Sequence, residues 1–142
     1  FKRPYCDDFL KFCFQNFDVG IWSSRSKKLI DLLVEFLLGD LQEHLLFCWV
    51  SGSLKTSICH GTKTVFTLKL ALENYNKPLV LKDIRKIWES DGPNLRWKKG
   101  QYNETNTLLL DDSPYKALLN PLHTAIFPKS YSYKDNKSDN SL

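Results

Sequence analysis

The sequence predicts an α/β fold organised on a three-layer, Rossmann-like parallel sheet. Three observations predict it. Segments of helical spacing alternate with short strand-like segments, the rhythm of a doubly wound sheet. Runs such as LLFCWV (45–50) and LLL (108–110) are short, apolar and bounded by turn signals, as buried strands are. Residues with chemistry to offer, Ser23, Lys82, Asp111 and Asp112, fall at strand-to-helix junctions. That is the edge at which open α/β sheets bind ligands.

At 142 residues the chain is one domain or part of one. With 42% hydrophobic and 13% aromatic residues it can build a core, which excludes a disordered chain over most of its length. A net charge of +4 is too mild to indicate a nucleic-acid partner, and none is expected. Cys6, Cys13, Cys48 and Cys59 form no C-x-x-C pair and read as free thiols of a reducing compartment. Cys59-His60 looks like part of a zinc site without a second half, and a structural zinc needs about four ligands. No signal peptide or transmembrane span is predicted, because the apolar stretch at 29–38 is short and broken by Asp31 and Glu35. The chain starts at Phe1 and holds no methionine, as expected of a fragment, a processed product or an incomplete gene reading.

Along the chain, Phe9, Leu10, Cys13, Phe14 and Phe17 follow helical spacing. Pro4 suits the entry of that helix, and Asp7 and Asp8 suit its first turn. DVGIW (18–22) is a short strand, followed by a polar turn at 23–26. Residues 27–38 form a helix with Leu29, Ile30, Leu33, Val34 and Leu37 on one face, stopped by Gly39. LLFCWV is the second strand. Residues 51–77, rich in Ser, Thr, Lys and Gly, form an inserted cap or a loop, in which 64–70 suit a hairpin arm. A brief apolar stretch at 79–81 leads into a helix over 82–88, and 91–106 are loop. A strand at 107–110, a helix at 115–119 and a last strand at 123–127 follow, ended by Pro128. The polar tail, 129–142, is expected to be frayed or extended. The basic cluster Arg96-Trp97-Lys98-Lys99 could touch phosphates or RNA, but a solvated loop is the expectation.

Each candidate residue has a structural alternative. Ser23 could be an N-cap, Lys82 a helix-surface lysine, and Asp112 or Ser113 a cap with Pro114 in the first turn. Taken together they describe a phosphate and Mg²⁺ site. A hydroxyl and backbone amides at a helix start bind anions, a lysine neutralises phosphate charge, and paired carboxylates hold a hard cation. Ser23 and Lys82 are thus the expected phosphate-binding residues, and Asp111 and Asp112 the expected metal ligands, in loops converging at the carboxyl edge of the sheet. No P-loop, G-x-G-x-x-G or G-x-S-x-G is present.

In this order the segments resemble the haloacid-dehalogenase-like phosphatases. The similarity is to the FCP-type homology domain of RNA polymerase II carboxy-terminal-domain phosphatases and NLI-interacting factors. KRPYCDDFLKFCFQNFDVGIWSSR resembles that family's KRP-x-x-x-x-F helix and the strand ending in a hydroxyl residue, here Ser23. LVLKDIRKIW resembles its lysine motif, with Lys82, and LLLDDSP its fourth motif, with Asp111 and Asp112. The resemblance places a partial domain at 1–128 and a tail at 129–142. It implies Mg²⁺-dependent hydrolysis of phosphoserine or phosphothreonine on a protein through an aspartyl-phosphate.

The family's first motif, D-x-D-x-(T/V), supplies the nucleophile and the general acid/base, and no D-x-D occurs in these residues. The expected sheet therefore lacks its first strand, no catalytic residue is named, and the chain alone is expected to be inactive. The alternative is a non-catalytic domain of the same fold that binds peptides, similar to the receptor subunit of the mitochondrial inner-membrane presequence translocase, with translocase subunits as partners. The compartment stays open between nuclear or cytoplasmic and mitochondrial inner membrane.

Overall fold

Helix α1 spans Cys6–Asn16. Asp7 and Asp8 sit in its first turn, where carboxylates complement the helix dipole, and Lys2 pairs with Asp7 at 2.8 Å. Tyr5 enters the helix at φ 60°, a left-handed conformation uncommon for a bulky residue. Phe9, Leu10, Cys13 and Phe14 are half-buried as the spacing predicts. Phe17 is not on that face: it is the C-cap, extended and exposed.

The structure is a computed structural model and describes residues 2–50, 67–68, 79–132 and 134. It divides into two units, one of residues 1–53 with 128–142 and the other of residues 54–127.

In the first unit, strands β1 (Gly20–Ser23) and β2 (Phe47–Val50) run parallel, with Gly20 opposite Phe47 and Ser23 opposite Val50. Parallel neighbours need a long crossover, supplied here by helix α2 (Lys27–Leu38) and a 3₁₀ turn over Gly39–His44. A Cβ at Gly20 would collide with the Phe47 ring, which would have to shift to admit it. The Phe47 and Trp49 rings lie tilted against each other with centroids 4.3 Å apart, and Trp22 meets Trp49 edge to face at 5.2 Å.

Helix α2 has the predicted bounds but a different buried face. Ile30 and Leu38 are buried, with Val34 and Leu37 half-buried, whereas Leu29 and Leu33 are about two-fifths exposed. The row that turns inward is i, i+4, i+8 from Ile30, and Leu29 and Leu33 lie on its flank. Gly39 ends the α-helix at φ 50°, but the chain keeps turning in the 3₁₀ segment. At the start of the predicted tail, Arg3 donates to the Lys129 carbonyl at 3.2 Å and lies 5.4 Å from the Tyr131 ring centroid.

In the second unit, β3 (Thr67–Leu68) pairs antiparallel with β4 (Leu79–Val80), in keeping with a hairpin arm at 64–70. The rest of the predicted cap or loop at 51–77, with Cys59 and His60, lies outside the described residues. Helix α3 (Arg85–Glu89) begins three residues later than predicted. Asp83 turns back on Arg85, accepting from its backbone N–H at 3.2 Å and its Nε at 2.8 Å, and Lys82 lies in the irregular segment between β4 and α3. Ile84 and Ile87 anchor this helix in the core.

Trp97 corrects the reading of the basic cluster. It is buried, and its indole N–H donates to the Ile87 carbonyl at 2.9 Å, while Lys98 and Lys99 are exposed. Strands β5 (Leu109–Leu110) and β6 (Ala125–Ile126) run parallel. Between them the predicted helix at 115–119 is instead a 3₁₀ turn, Pro114–Ala117, set by Pro114 in its first turn.

The strands described thus form three two-stranded sheets, two parallel and one antiparallel. The α/β class holds at that level, which is coarser than the three-layer sheet expected. Among the described residues Cys6, Cys13 and Cys48 form no disulfide bond. Among the described residues no helix is long and apolar enough to cross a membrane.

Candidate phosphate-binding site

Asp111 is the centre of a buried charged cluster. Strand β5 brings it there, and its backbone N–H extends the ladder to the Ile126 carbonyl at 3.2 Å. The chain then folds back through Ser113, whose backbone N–H donates to Asp111 Oδ1 at 2.9 Å. From the far side comes Lys82, just past β4, whose Nζ donates to Asp111 Oδ2 at 2.5 Å. The two side chains are 8% and 5% exposed. Lys82 is therefore not a helix-surface lysine. Charges are buried only when paired and hydrogen-bonded, and this pair satisfies that condition.

A third residue, unpredicted, completes the cluster. Lys116 Nζ donates to Asp111 Oδ1 at 2.9 Å and lies 3.2 Å from Oδ2, with its side chain 14% exposed. The carbonyl of Lys116 also accepts the backbone N–H of Lys82 at 2.7 Å. The 3₁₀ geometry explains this placement: residues three apart eclipse, Lys116 N–H bonds the Ser113 carbonyl at 3.0 Å, and the side chain swings over the start of the turn. The usable signal was the short Ser-Pro turn, which returns a residue five positions on to the carboxylate that precedes it.

Burial pushes the Asp111 carboxyl up, but bonds from Lys82 and Lys116, the Lys82 charge and the Ser113 N–H outweigh it. The group is held below the ordinary carboxylate range. Next to the cluster, Asn120 Oδ1 accepts the Ile84 N–H at 3.0 Å, while its Nδ2 is buried with no hydrogen-bond partner.

Asp112 has a different setting from Asp111. It is exposed, and its Oδ1 accepts from the Ser113 hydroxyl at 2.9 Å. Ser113 is the N-cap of the 3₁₀ turn, although its side chain makes no capping bond. Ser23 ends β1 in the other unit, half-buried, its Oγ accepting the Arg25 backbone N–H at 3.1 Å. The N-cap of α2 is Ser26, so Ser23 is not a helix cap. Lys82 and Asp111 are brought together, Asp112 lies beside them at the surface, and Ser23 is described in its own unit alone.

The donor set meets the needs of a metal only in part. A hard cation takes about six oxygens and tolerates bound water. Asp111 already accepts from two ammonium groups, which leaves Asp112 as the outward carboxylate. Among the described residues no group of three or more His, Cys, Asp or Glu gathers, while Mg²⁺ is held by as few as one or two carboxylates with water and phosphate.

This unit thus combines α/β elements with a buried Lys82–Asp111–Lys116 cluster at a strand end, the edge at which open α/β sheets bind ligands. More particularly, the chain belongs to the NLI interacting factor-like phosphatase family, whose model matches residues 1–142. It is 27% identical over 126 residues to an FCP1 homology domain-containing protein of Schizosaccharomyces pombe, covering 87% of this chain and 46% of that one. It is also 27% identical over 111 residues to a CTD phosphatase-like protein of Invertebrate iridescent virus 6, covering 78% of this chain and 50% of the viral one. The chain thus spans about half the length of these curated relatives. No solved structure gives a significant match.

Proposed function

We propose that this chain is the phosphate-recognising part of a phosphoprotein phosphatase domain acting on phosphoserine or phosphothreonine. The observation that carries it is the buried Lys82–Asp111 pair, with Lys82 at the end of one strand and Asp111 at the end of another. The family supports a phosphorylated protein as the class of substrate. Within this proposal Lys82 binds the phosphoryl oxygens, and Ser23 is a phosphate-binding candidate in its own unit. Asp111 holds Lys82 in place, and Asp112 offers its carboxylate to a divalent cation, Mg²⁺. The cation would neutralise charge on the phosphoryl group.

No D-x-D occurs in the 142 residues, so hydrolysis by them alone is not expected, while phosphate recognition is. That same absence favours a second reading, a peptide-binding domain of the same fold. Import of mitochondrial presequences would be one such task.

Binding of a phosphoserine peptide and of its unphosphorylated twin to the intact chain separates the two. Phosphate recognition predicts that the phosphopeptide binds at least tenfold tighter, about 1.4 kcal/mol, and that Lys82→Gln removes the difference. Equal affinity for both peptides would refute it and favour the peptide-binding domain.

A further inference from the structure

We propose that Lys116 is a second phosphate-binding residue, making the site a two-lysine clamp on one phosphoryl group. This rests on the phosphate-site reading of Lys82 and Asp111 and extends it to a residue outside the D-D-S-P motif.

The argument begins with charge. Lys82, Asp111 and Lys116 are all largely buried and together carry one positive charge more than they neutralise. An uncompensated buried charge is costly, and an anion at this spot removes the cost. Asp112 is also near, but it is exposed, where solvent and salt screen its charge.

The argument continues with donors. Each ammonium has three N–H groups. Among the described residues Lys82 directs one to Asp111, and Lys116 directs its bonds to the two oxygens of the same carboxylate. At least one donor on each remains for a ligand.

Geometry then decides which lysine meets solvent first. Lys116 has the more exposed side chain of the two, 14% against 8%. It is also fixed in place: its N–H and carbonyl are bonded to Ser113 and Lys82 respectively, so little order is lost when a ligand arrives. A lysine needed only to neutralise Asp111 would be redundant, because Lys82 already does so at 2.5 Å.

The test is a titration of the intact chain with inorganic phosphate, followed by NMR of the lysine side-chain ammonium groups. The expected result is that the Lys82 and Lys116 signals both move and saturate at one common midpoint. Lys116→Gln should weaken phosphate about tenfold, the scale of one charge-assisted hydrogen bond, and Lys116→Arg should keep most of the affinity. If Lys82 alone responds and Lys116→Gln binds phosphate like the unaltered chain, the Lys116 assignment is overturned and the Lys82 site stands. If neither signal moves, both are overturned. The titration of the unaltered chain decides the matter even if Lys116→Gln fails to fold.

Discussion

Lys82 Nζ meets Asp111 Oδ2 at 2.5 Å, joining two strand ends that lie 29 residues apart in the chain. Asp111 has a second ammonium partner in Lys116, whereas Lys82 has Asp111 as its only charged partner among the described residues. That asymmetry sets the stability of the cluster. Asp111→Ala strands two buried ammonium groups and should cost about 3–5 kcal/mol. Lys82→Met keeps the apolar stem and leaves Asp111 bonded to Lys116 and Ser113, so its cost should be nearer 1–2 kcal/mol. Urea denaturation of the two variants checks the order, and equal losses would contradict it.

The same cluster sets the response to acid. Asp111 titrates below the ordinary carboxylate value of about 3.9, so its folded pKa is lower than its unfolded one. Its contribution is then complete above that value and is lost as pH falls through the lower folded one. Asp83 acts in the same sense. Burial raises its pKa, but bonds from Arg85 bring it below the usual range, nearer the surface. Stability against urea should hold down to about pH 4 and then fall steeply. Asp111→Asn should flatten that fall, and Asp83→Asn should remove a smaller part.

Gly20 and Phe47 make a separate prediction in the β1–β2 sheet. Gly20→Ala should destabilise by about 1–3 kcal/mol, the range for overpacking, because the Phe47 ring fills the space a methyl would need. Adding Phe47→Ala should recover part of that loss, so the two changes should couple in a double-mutant cycle. Strictly additive losses would show that the contact is not the cause.

Trp97 tests the correction to the basic loop. Trp97→Ala should cost about 3–5 kcal/mol, through lost packing and an unpaired Ile87 carbonyl. Lys98→Ala and Lys99→Ala should each change stability by less than about 0.5 kcal/mol. Thermal melts of the three variants are sufficient.

The sequence carried much of this in its periodicity. Helix α2 was legible to its ends, because its apolar spacing and Gly39 act locally. Its inward row was not, since Leu29 and Ile30 satisfy the same spacing and only packing chooses between them. Trp97 looked solvated because its neighbours are Arg96, Lys98 and Lys99, yet an indole turns inward when a carbonyl such as that of Ile87 is within reach. Lys82 and Asp111 were each singled out, and their contact is a tertiary fact that neither segment states. Lys116 escaped notice because its role depends on a 3₁₀ turn in a stretch that reads as α-helix. Asp111 and Asp112 read alike as a pair, but β5 draws the first inward and leaves the second at the surface.

The most direct test of the phosphate site is a crystal of the intact chain soaked in tungstate, a heavy tetrahedral mimic of phosphate, with its position read from anomalous scattering. The account predicts one ordered tungstate with an oxygen within hydrogen-bond distance of Lys82 Nζ. A soaked crystal with the Lys82–Asp111 pair intact and no tungstate against it would contradict the account.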